Sequence, residues 1–172
     1  KSLRKIIDDT KLRYEKGESP VKKDAPRILI TGSPIGGCTN KIINTIEESG
    51  GSIVAYELCS SIRNNRELVD ENNPDIYDAL AKKYLNIGCA CMMNNDKRIQ
   101  LIDELIEEFK IDGVIDIALQ SCHPFNVESN RIKEFVVNYK KIHYMAIETD
   151  YSQSDTEQLR TRFEAFIEMI ES

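Results

Sequence analysis

The sequence contains no tryptophan, no long apolar run and no excess of positive charge. Its longest apolar stretches, such as residues 114–119, have the length of a strand and include an aspartate, whereas a membrane-spanning helix needs about 20 apolar residues. The 23 Lys and Arg residues are outnumbered by 29 Asp and Glu residues and are spread along the chain, whose net charge is −6. We therefore expect a soluble protein that binds neither a membrane nor nucleic acid.

No signal-peptide pattern opens the chain, so we expect a cytoplasmic protein. The chain begins without a methionine, from which we expect a fragment of a longer protein. Residues 1–16 are charged and carry apolar side chains at helical spacing, namely Leu3, Ile6, Ile7 and Leu12. We interpret residues 1–24 as a connecting helix and linker from an upstream domain that is missing from this sequence. Residues 25–172 are long enough for one C-terminal α/β domain with a single core.

Four short apolar segments, each ended by turn residues, alternate with segments of helical periodicity. The predicted strands are residues 27–31, 53–56, 114–119 and 144–147. This alternation predicts an α/β fold with a parallel sheet and helices on both of its faces. We expect the strand order 2-1-3-4 of a flavodoxin-like, doubly wound sheet, in which ligands bind outside the carboxyl ends of the strands.

Two of the helical segments lead to specific expectations. Residues 75–85 have an apolar face that we expect to point inward, formed by Ile76, Ala79, Leu80 and Tyr84. The pattern Ser154-Asp155-Thr156-Glu157 predicts a capping box at the start of the last helix, in which the serine and glutamate side chains each bond a backbone N–H.

Five cysteines are present, an odd number that argues against a disulfide framework in a chain without an export signal. Cys38, Cys59 and Cys122 follow the first, second and third predicted strands. Cys89 and Cys91 lie in a loop between two helices that could fold over the same edge of the sheet. We therefore favour a functional cluster of thiols at the carboxyl edge, with five incidental buried thiols as the alternative.

Soft thiolate ligands could hold zinc, copper(I) or an iron–sulfur cluster, and two thiols could form a redox pair. A structural zinc site usually has two pairs of ligands about two to four residues apart, whereas here the one pair is Cys89 and Cys91, separated by a single residue. The Cys-x-x-Cys spacing typical of a redox pair is absent. Iron–sulfur ligands can come from distant loops, so the spacing favours a cluster without excluding the other sites.

Glycine and histidine residues fall at the same predicted edge. The turn 32–37 could present the backbone N–H groups of Gly36 and Gly37 to a phosphate or to cluster sulfurs, but it lacks the Lys-Ser/Thr of a P-loop. His123, beside Cys122, could act as an acid, a base or a hydrogen-bond donor to a ligand, or it could be an ordinary loop residue.

Residues 148–166, ETDYSQSDTEQLRTRFEAF, resemble the C-terminal signature of the 2-hydroxyacyl-CoA dehydratase and benzoyl-CoA reductase subunit family, to which the 2-hydroxyglutaryl-CoA dehydratase D-component belongs. Residues 30–37, 87–92 and 119–123 add to this resemblance, which extends over residues 27–170 and is greatest to the double-cubane-cluster branch. Family members are about twice as long and have two α/β domains. The resemblance therefore implies that this chain is a C-terminal half.

The resemblance also implies a cubane-type iron–sulfur cluster, 4Fe-4S or double cubane, held between the two halves of the subunit with cysteines from both. The positions that match family ligands are Cys122, most closely, and Cys59, Cys89 and Cys91. Ser33 stands where the double-cubane branch has a cysteine. Either the ligation differs or a ligand has been lost, and Cys38 could compensate.

By the same resemblance, the protein delivers one low-potential electron to a bound acceptor, usually a CoA thioester. A separate ATP-hydrolysing iron–sulfur activator protein would supply the electron, and the chain would act with its own N-terminal domain in a homo- or heterodimer, the domain alone being inactive. His123 and the loop N–H groups would tune the cluster potential through hydrogen bonds. The alternatives are a cluster-free scaffold or interaction domain of the same fold, and a CoA or nucleotide binder without redox activity.

Overall fold

Four parallel strands form one sheet in the computed structural model, which describes residues 2–19, 21–92 and 94–172. The strands are β1 (Arg27–Gly32), β2 (Ser52–Glu57), β3 (Gly113–Leu119) and β4 (His143–Thr149), in the order β2-β1-β3-β4. The strand order and the parallel pairing confirm the expected flavodoxin-like α/β fold. Lys1 and Pro20, on which the predicted linker partly falls, and Met93 lie outside the described residues.

Helices precede, connect and follow the strands. They are α1 (Leu3–Glu15), α2 (Thr39–Glu48), α3 (Ile62–Asn65), α4 (Ile76–Leu85), α5 (Asp96–Phe109), α6 (His123–Glu134) and α7 (Thr156–Glu171). A 3-10 turn, Gly36–Cys38, precedes α2, and a π-helical turn, Phe135–Lys140, extends α6. Within the part of the chain that the structure describes, none of these helices combines the length and apolarity needed to cross a membrane.

Each face of the sheet is covered by its own apolar core. On one face, strand residues such as Ile28, Ile30 and Ile115 pack with α2 and α7. On the other face, Leu29 and Val114 pack with α5 and α6. Because successive side chains of a strand point to opposite faces, one continuous apolar run supplies both cores. The helices on both faces confirm the doubly wound arrangement expected from the sequence.

The last residue of β1 is Gly32, where β3 lies too close for any side chain. The φ angle of Gly32 is +117°, a region that favours glycine. A Cβ atom there would lie 2.0 Å from the carbonyl oxygen of Ile117, the residue paired with Gly32 in β3. Glycine therefore allows β1 and β3 to stay paired up to the carboxyl edge of the sheet.

The amphipathic opening segment forms the expected helix, α1, but its apolar side chains are exposed. The exposed fractions run from 46% to 74% for the residues Leu3, Ile6, Ile7 and Leu12. Within the described residues, no part of α1 is buried. Its role as a connection from an upstream domain stays a prediction.

The prediction that the apolar face of α4 points inward is wrong in part. Ala79 is buried and Leu80 is half-buried, but Ile76 and Tyr84 are 64% and 55% exposed. Helical spacing identifies an apolar face, but it does not show whether another part of the same chain covers that face. The N-terminus of α4 is capped by Asp75, whose carboxylate accepts hydrogen bonds from two backbone N–H groups.

The prediction of a capping box at the start of α7 is also wrong. Asp155, rather than Ser154, occupies the N-cap position, and its carboxylate accepts hydrogen bonds from Lys41 Nζ and Thr149 Oγ1, both at 2.6 Å. Lys41 is 4% exposed and donates to two further backbone carbonyl groups. A buried ammonium needs a counter-ion, so the aspartate binds the lysine instead of capping the helix.

Candidate functional site

Four of the five cysteines come together at the carboxyl edge of the sheet. Cys59 lies just beyond β2 and Cys122 just beyond β3, while Cys89 and Cys91 lie in the loop between α4 and α5. The pKa of the Cys91 thiol is raised most strongly by the charge of Cys89, and also by burial, by a hydrogen bond with Cys89 and by the charges of Cys122 and Cys59. These four cysteines lie in the loops at one edge of the sheet, and we call them the thiol cluster.

The loop 86–95 carries two of these thiols across the edge of the sheet. At its first end, Gly88 lines a cavity together with Asn64 of α3, the helix that follows β2. Further along, Ala90 lines a pocket with His123 of α6, the helix that follows β3. Since β1 lies between β2 and β3, the loop spans the switch point at which ligands bind in sheets of this order. The expected folding of this loop over the edge is therefore observed.

Cys38 and Ser33 are both fully buried and are engaged in the fold. Cys38 packs in the core beneath α2 and α7 and donates to the carbonyl oxygen of Ile35 at 2.9 Å. The Ser33 hydroxyl donates to the carbonyl of Ile117 at 3.1 Å and accepts from the N–H of Leu119 at 2.9 Å, so it links β1 to β3. Contact with a cofactor would break these hydrogen bonds. A cofactor-binding role therefore stays a prediction for both Cys38 and Ser33.

The turn that follows β1 is bordered by an aromatic ring. Gly36 and Gly37 begin the 3-10 turn and are exposed. A Cβ atom at Gly37 would lie 3.3 Å from the ring of Tyr151, which follows β4. The carbonyl of Gly36 accepts a hydrogen bond from Thr39 Oγ1 at 2.7 Å, which holds the turn against α2. Contact between these glycine N–H groups and a cofactor stays a prediction.

His123 is the first residue of α6 and is exposed next to Cys122. It lines an open pocket of about 530 Å³ together with Ala90, Met92 and Val127. Small-molecule sites have volumes of about 300–1,000 Å³ and mostly apolar walls with a few polar groups. A small acceptor could therefore bind here, with an imidazole on one side and the thiol cluster adjacent.

A buried carboxylate joins two arginines beneath this edge. Glu57, the last residue of β2, is fully buried and accepts hydrogen bonds from Arg63 Nη2 at 2.6 Å and Arg98 Nε at 3.2 Å. Thr31 of β1 donates to the same carboxylate at 2.5 Å and accepts from Arg98 Nη2 at 2.8 Å. Arg98 also pairs with Glu128 of α6. The two arginines and two glutamates balance in charge, as the burial of ions requires.

Arg63 connects this buried network to the thiol cluster. Its Nη1 atom donates to Cys59 Sγ at 3.2 Å, and its Nη2 atom donates to the carbonyl of Gly32 at 3.2 Å. The ring of Phe125 lies against both guanidinium groups, at 5.5 Å from Arg63 and 5.1 Å from Arg98. The position of the Cys59 sulfur is thus tied to charged groups on β2, α5 and α6.

Sequence reasoning did not single out Glu57, Arg63 or Arg98, although the sequence positions of two of them are informative. Glu57 directly ends an apolar strand at the edge where ligands bind. Arg98 lies on the same face of α5 as the fully buried Ile102 and Leu105. Arg63 lies in a short polar segment without periodicity, so no pattern in the sequence could have identified it.

The thiol cluster offers the soft donors that an iron–sulfur cluster uses. All five cysteines are free thiols. Throughout residues 2–19, 21–92 and 94–172, no three His, Cys, Asp or Glu side chains are placed to hold one metal ion together. In an iron–sulfur cluster each thiolate binds a different iron, so the ligands stand farther apart than around one zinc ion. Binding of an iron–sulfur cluster by these thiols stays a prediction.

Comparison with known proteins points to dehydratase subunits. The family model described as 2-hydroxyglutaryl-CoA dehydratase, D-component, matches residues 1–170. The chain is 52% identical over 145 residues to YjiM of Escherichia coli (strain K12), which bears the name of a dehydratase subunit; the match covers 84% of this chain and 38% of YjiM. It is 28% identical over 171 residues to the (R)-phenyllactyl-CoA dehydratase beta subunit of Clostridium sporogenes, covering 98% of this chain and 43% of that protein. The chain thus spans about two-fifths of the length of these curated relatives.

Proposed function

The chain belongs to the 2-hydroxyglutaryl-CoA dehydratase D-component family, and from this membership we propose that it is an iron–sulfur electron-transfer domain of a 2-hydroxyacyl-CoA dehydratase-like enzyme. When bound, the cluster would supply one low-potential electron to a CoA thioester or another small acceptor. The thiol cluster carries this proposal, because three separate loops bring four thiols to one edge of the sheet.

The side chains around the edge would bind the cofactor and position the acceptor. The thiol cluster would provide ligands, and an upstream half of the protein would provide the others. Arg63 would hold the Cys59 sulfur in place and stabilise negative charge on it through its hydrogen bond. His123 would donate a hydrogen bond to an acceptor in the adjacent pocket.

The proposal includes partners, because both relatives are named as subunits. We propose that the chain works in the cytoplasm with its own N-terminal domain, a second subunit and an ATP-hydrolysing iron–sulfur activator that delivers the electron. A domain that holds only part of the ligand set would be inactive by itself.

Anaerobic reconstitution of the full-length protein with iron and sulfide tests the cofactor. We expect about four or more iron ions and as many sulfide ions per chain, with a broad absorbance at about 400 nm from sulfur-to-iron charge transfer. Fewer than about three irons per chain without that absorbance would contradict the proposal.

Serine variants test the ligands. Cys122→Ser should lose more iron than Cys38→Ser, because Cys122 belongs to the thiol cluster and Cys38 lies in the core. Circular dichroism of both variants controls for folding. Equal and negligible losses of iron in the two variants would refute the assignment of Cys122 as a ligand.

A second function, a cluster-free interaction domain of the same fold, is favoured by one observation. By the resemblance described above, Ser33 stands where a cysteine is expected in the double-cubane branch, and its hydroxyl makes two hydrogen bonds to β3. A folded, dimeric full-length protein that binds no iron under the same anaerobic conditions would support this function instead.

A further inference from the structure

A row of buried polar side chains crosses the sheet just below its carboxyl edge. Thr31 of β1 pairs in register with Glu57 of β2 on one side and with Asp116 of β3 on the other. All three side chains are buried. They lie on the face covered by α5 and α6, two residues beyond Leu29 and Val114 of the apolar core on that face. The apolar core therefore ends before the strands do, and α6 meets polar groups near the edge.

Two consecutive residues of α6 are hydrogen-bonded to these polar groups and to α5. The carboxylate of Glu128 accepts hydrogen bonds from Arg98 Nη1 and from Asn95 Nδ2. The hydroxyl of Ser129 donates to the carboxylate of Asp116 at 2.6 Å. Hydrogen bonds that include a charged group are strong and depend on direction, so these bonds fix the orientation of the first half of α6.

The two halves of α6 and its π-helical extension are thus held by different contacts. Ile132 and Val136 pack in the apolar core with α5. In the first half, the buried Phe125 lies against the guanidinium group of Arg98, at 5.1 Å. Apolar packing alone has little directional preference, so the start of α6 depends on the polar bonds for its exact position.

Arg98 is the residue that joins this part of α6 to the sheet. It is 1% exposed, and its Nε and Nη2 atoms donate to Glu57 at 3.2 Å and to Thr31 at 2.8 Å. Its Nη1 atom is the one that donates to Glu128. The planar guanidinium group holds these three directions in a fixed geometry. A displacement of α6 would therefore break a bond at a buried charge.

Two candidate site residues lie at the end of α6 that these bonds hold. Cys122 occupies the N-cap position and His123 is the first residue of the helix, less than two turns before Glu128. We propose that Arg98 is a positioning residue, which through its ion pair with Glu128 fixes Cys122 and His123 at the edge of the sheet. The inference deepens the proposed function and rests on it, since it takes these two residues as part of the functional site.

A charge-balanced double variant separates positioning from stability. Arg98→Met/Glu128→Met removes both members of the ion pair and leaves Arg63 paired with Glu57. Replacement of a buried ion pair by apolar side chains of similar volume is often neutral for stability. We therefore expect a urea midpoint close to that of the wild-type protein, while the start of α6 loses its directional bonds.

The rate at which N-ethylmaleimide alkylates each cysteine measures the position of α6. The reduced full-length protein is used without added iron, and peptide mass spectrometry assigns each rate. In the double variant, Cys122 should react about threefold or more faster, because the start of α6 opens more often. Cys59 should keep its rate, since Arg63 still bonds its sulfur. Cys38 should also keep its rate, since it is fully buried in the core on the opposite face and reacts only after that core opens.

A surface pair provides the matched control. Glu48→Gln/Arg160→Gln also removes one charge of each sign, from a partly exposed pair between α2 and α7, and should leave all of these rates unchanged. An unchanged Cys122 rate in the Arg98→Met/Glu128→Met variant would overturn the inference. A parallel increase at Cys38 would overturn it too, because general destabilisation would then explain the result.

Ser129→Ala keeps the inference testable if the double variant does not fold. It removes the second polar bond of α6, while Asp116 keeps the hydroxyl of Tyr144 as a donor at 2.8 Å. Cys122 should again react faster than in the wild-type protein with Cys38 unchanged, and an equal Cys122 rate would contradict the proposed role of the polar bonds. Iron content is measured separately, so failure of the cluster proposal leaves these rates interpretable.

Discussion

The buried Glu57 carboxylate is the most informative residue to perturb. It is fully buried and accepts four hydrogen bonds, from Thr31, from two nitrogens of Arg63 and from Arg98. The variant Glu57→Gln keeps the shape and one acceptor oxygen. It also removes the negative charge and turns an amide NH₂ group toward two guanidinium groups.

The expected cost follows from the charge balance of this network. In the wild-type protein, Arg63 and Arg98 are balanced by Glu57 and Glu128, whereas the variant leaves one buried positive charge without a partner. Removal of one partner from a buried ion pair costs about 3–5 kcal/mol. A domain of this size has a free energy of unfolding of about 5–15 kcal/mol, so the variant should lose a large part of its stability.

Urea unfolding followed by circular dichroism measures this loss. The matched control is Glu48→Gln, since Glu48 is 56% exposed and pairs with Arg160 on the surface. Exposed pairs contribute about 0–1 kcal/mol, so the control should unfold close to the wild-type midpoint. If Glu57→Gln lowered the free energy of unfolding no more than Glu48→Gln, the network would not stabilise the fold as we infer.

Two further predictions concern the backbone and the pH dependence. Gly32→Ala should lower the free energy of unfolding by more than about 4 kcal/mol, because its Cβ would lie 2.0 Å from a backbone oxygen. The control Gly50→Ala, which is also at positive φ but has open space around it, should lower it by about 1–3 kcal/mol. Equal urea midpoints for the two variants would contradict the clash at Gly32. Burial works to raise the pKa of Asp155, but hydrogen bonds from Lys41 and Thr149 and the charge of Lys41 hold it below its ordinary value. This carboxylate therefore adds stability above a pH of about 4 that is lost as the pH falls through its folded pKa. Asp155→Asn should reduce the difference between the urea midpoints at about pH 7 and about pH 3, and an unchanged difference would argue against the Lys41 contact.

The architecture was predictable because it depends on local patterns. The apolar strand segments, their turn residues and the helical spacing between them predict four parallel strands in the observed order. The general rule that ligands bind at the carboxyl edge of such a sheet then places Cys59 and Cys122 at the candidate site before any coordinates are known. The long motif at residues 148–166 likewise points to the family that the family model confirms.

Local patterns did not predict which polar side chains are buried together. Glu57, Arg63 and Arg98 come from three elements and meet only after the loop and α5 have packed on the sheet. The exposure of Ile76 in α4 and the use of Asp155 by Lys41 were missed for the same reason. Each of these features depends on which residue packs against the side chain, and the spacing of residues in the sequence does not show that.

Sequence alone was sufficient for the fold class, the strand order and the edge at which four of the five cysteines lie, because periodicity and turn residues act over a few neighbouring positions. The tertiary structure was needed to show that Cys38 lies in the core, that Arg63 bonds Cys59 and that Glu57 joins Arg63 to Arg98. Burial and Coulomb energy depend on distances between residues far apart in the chain, and those distances are set only when the helices pack against the sheet.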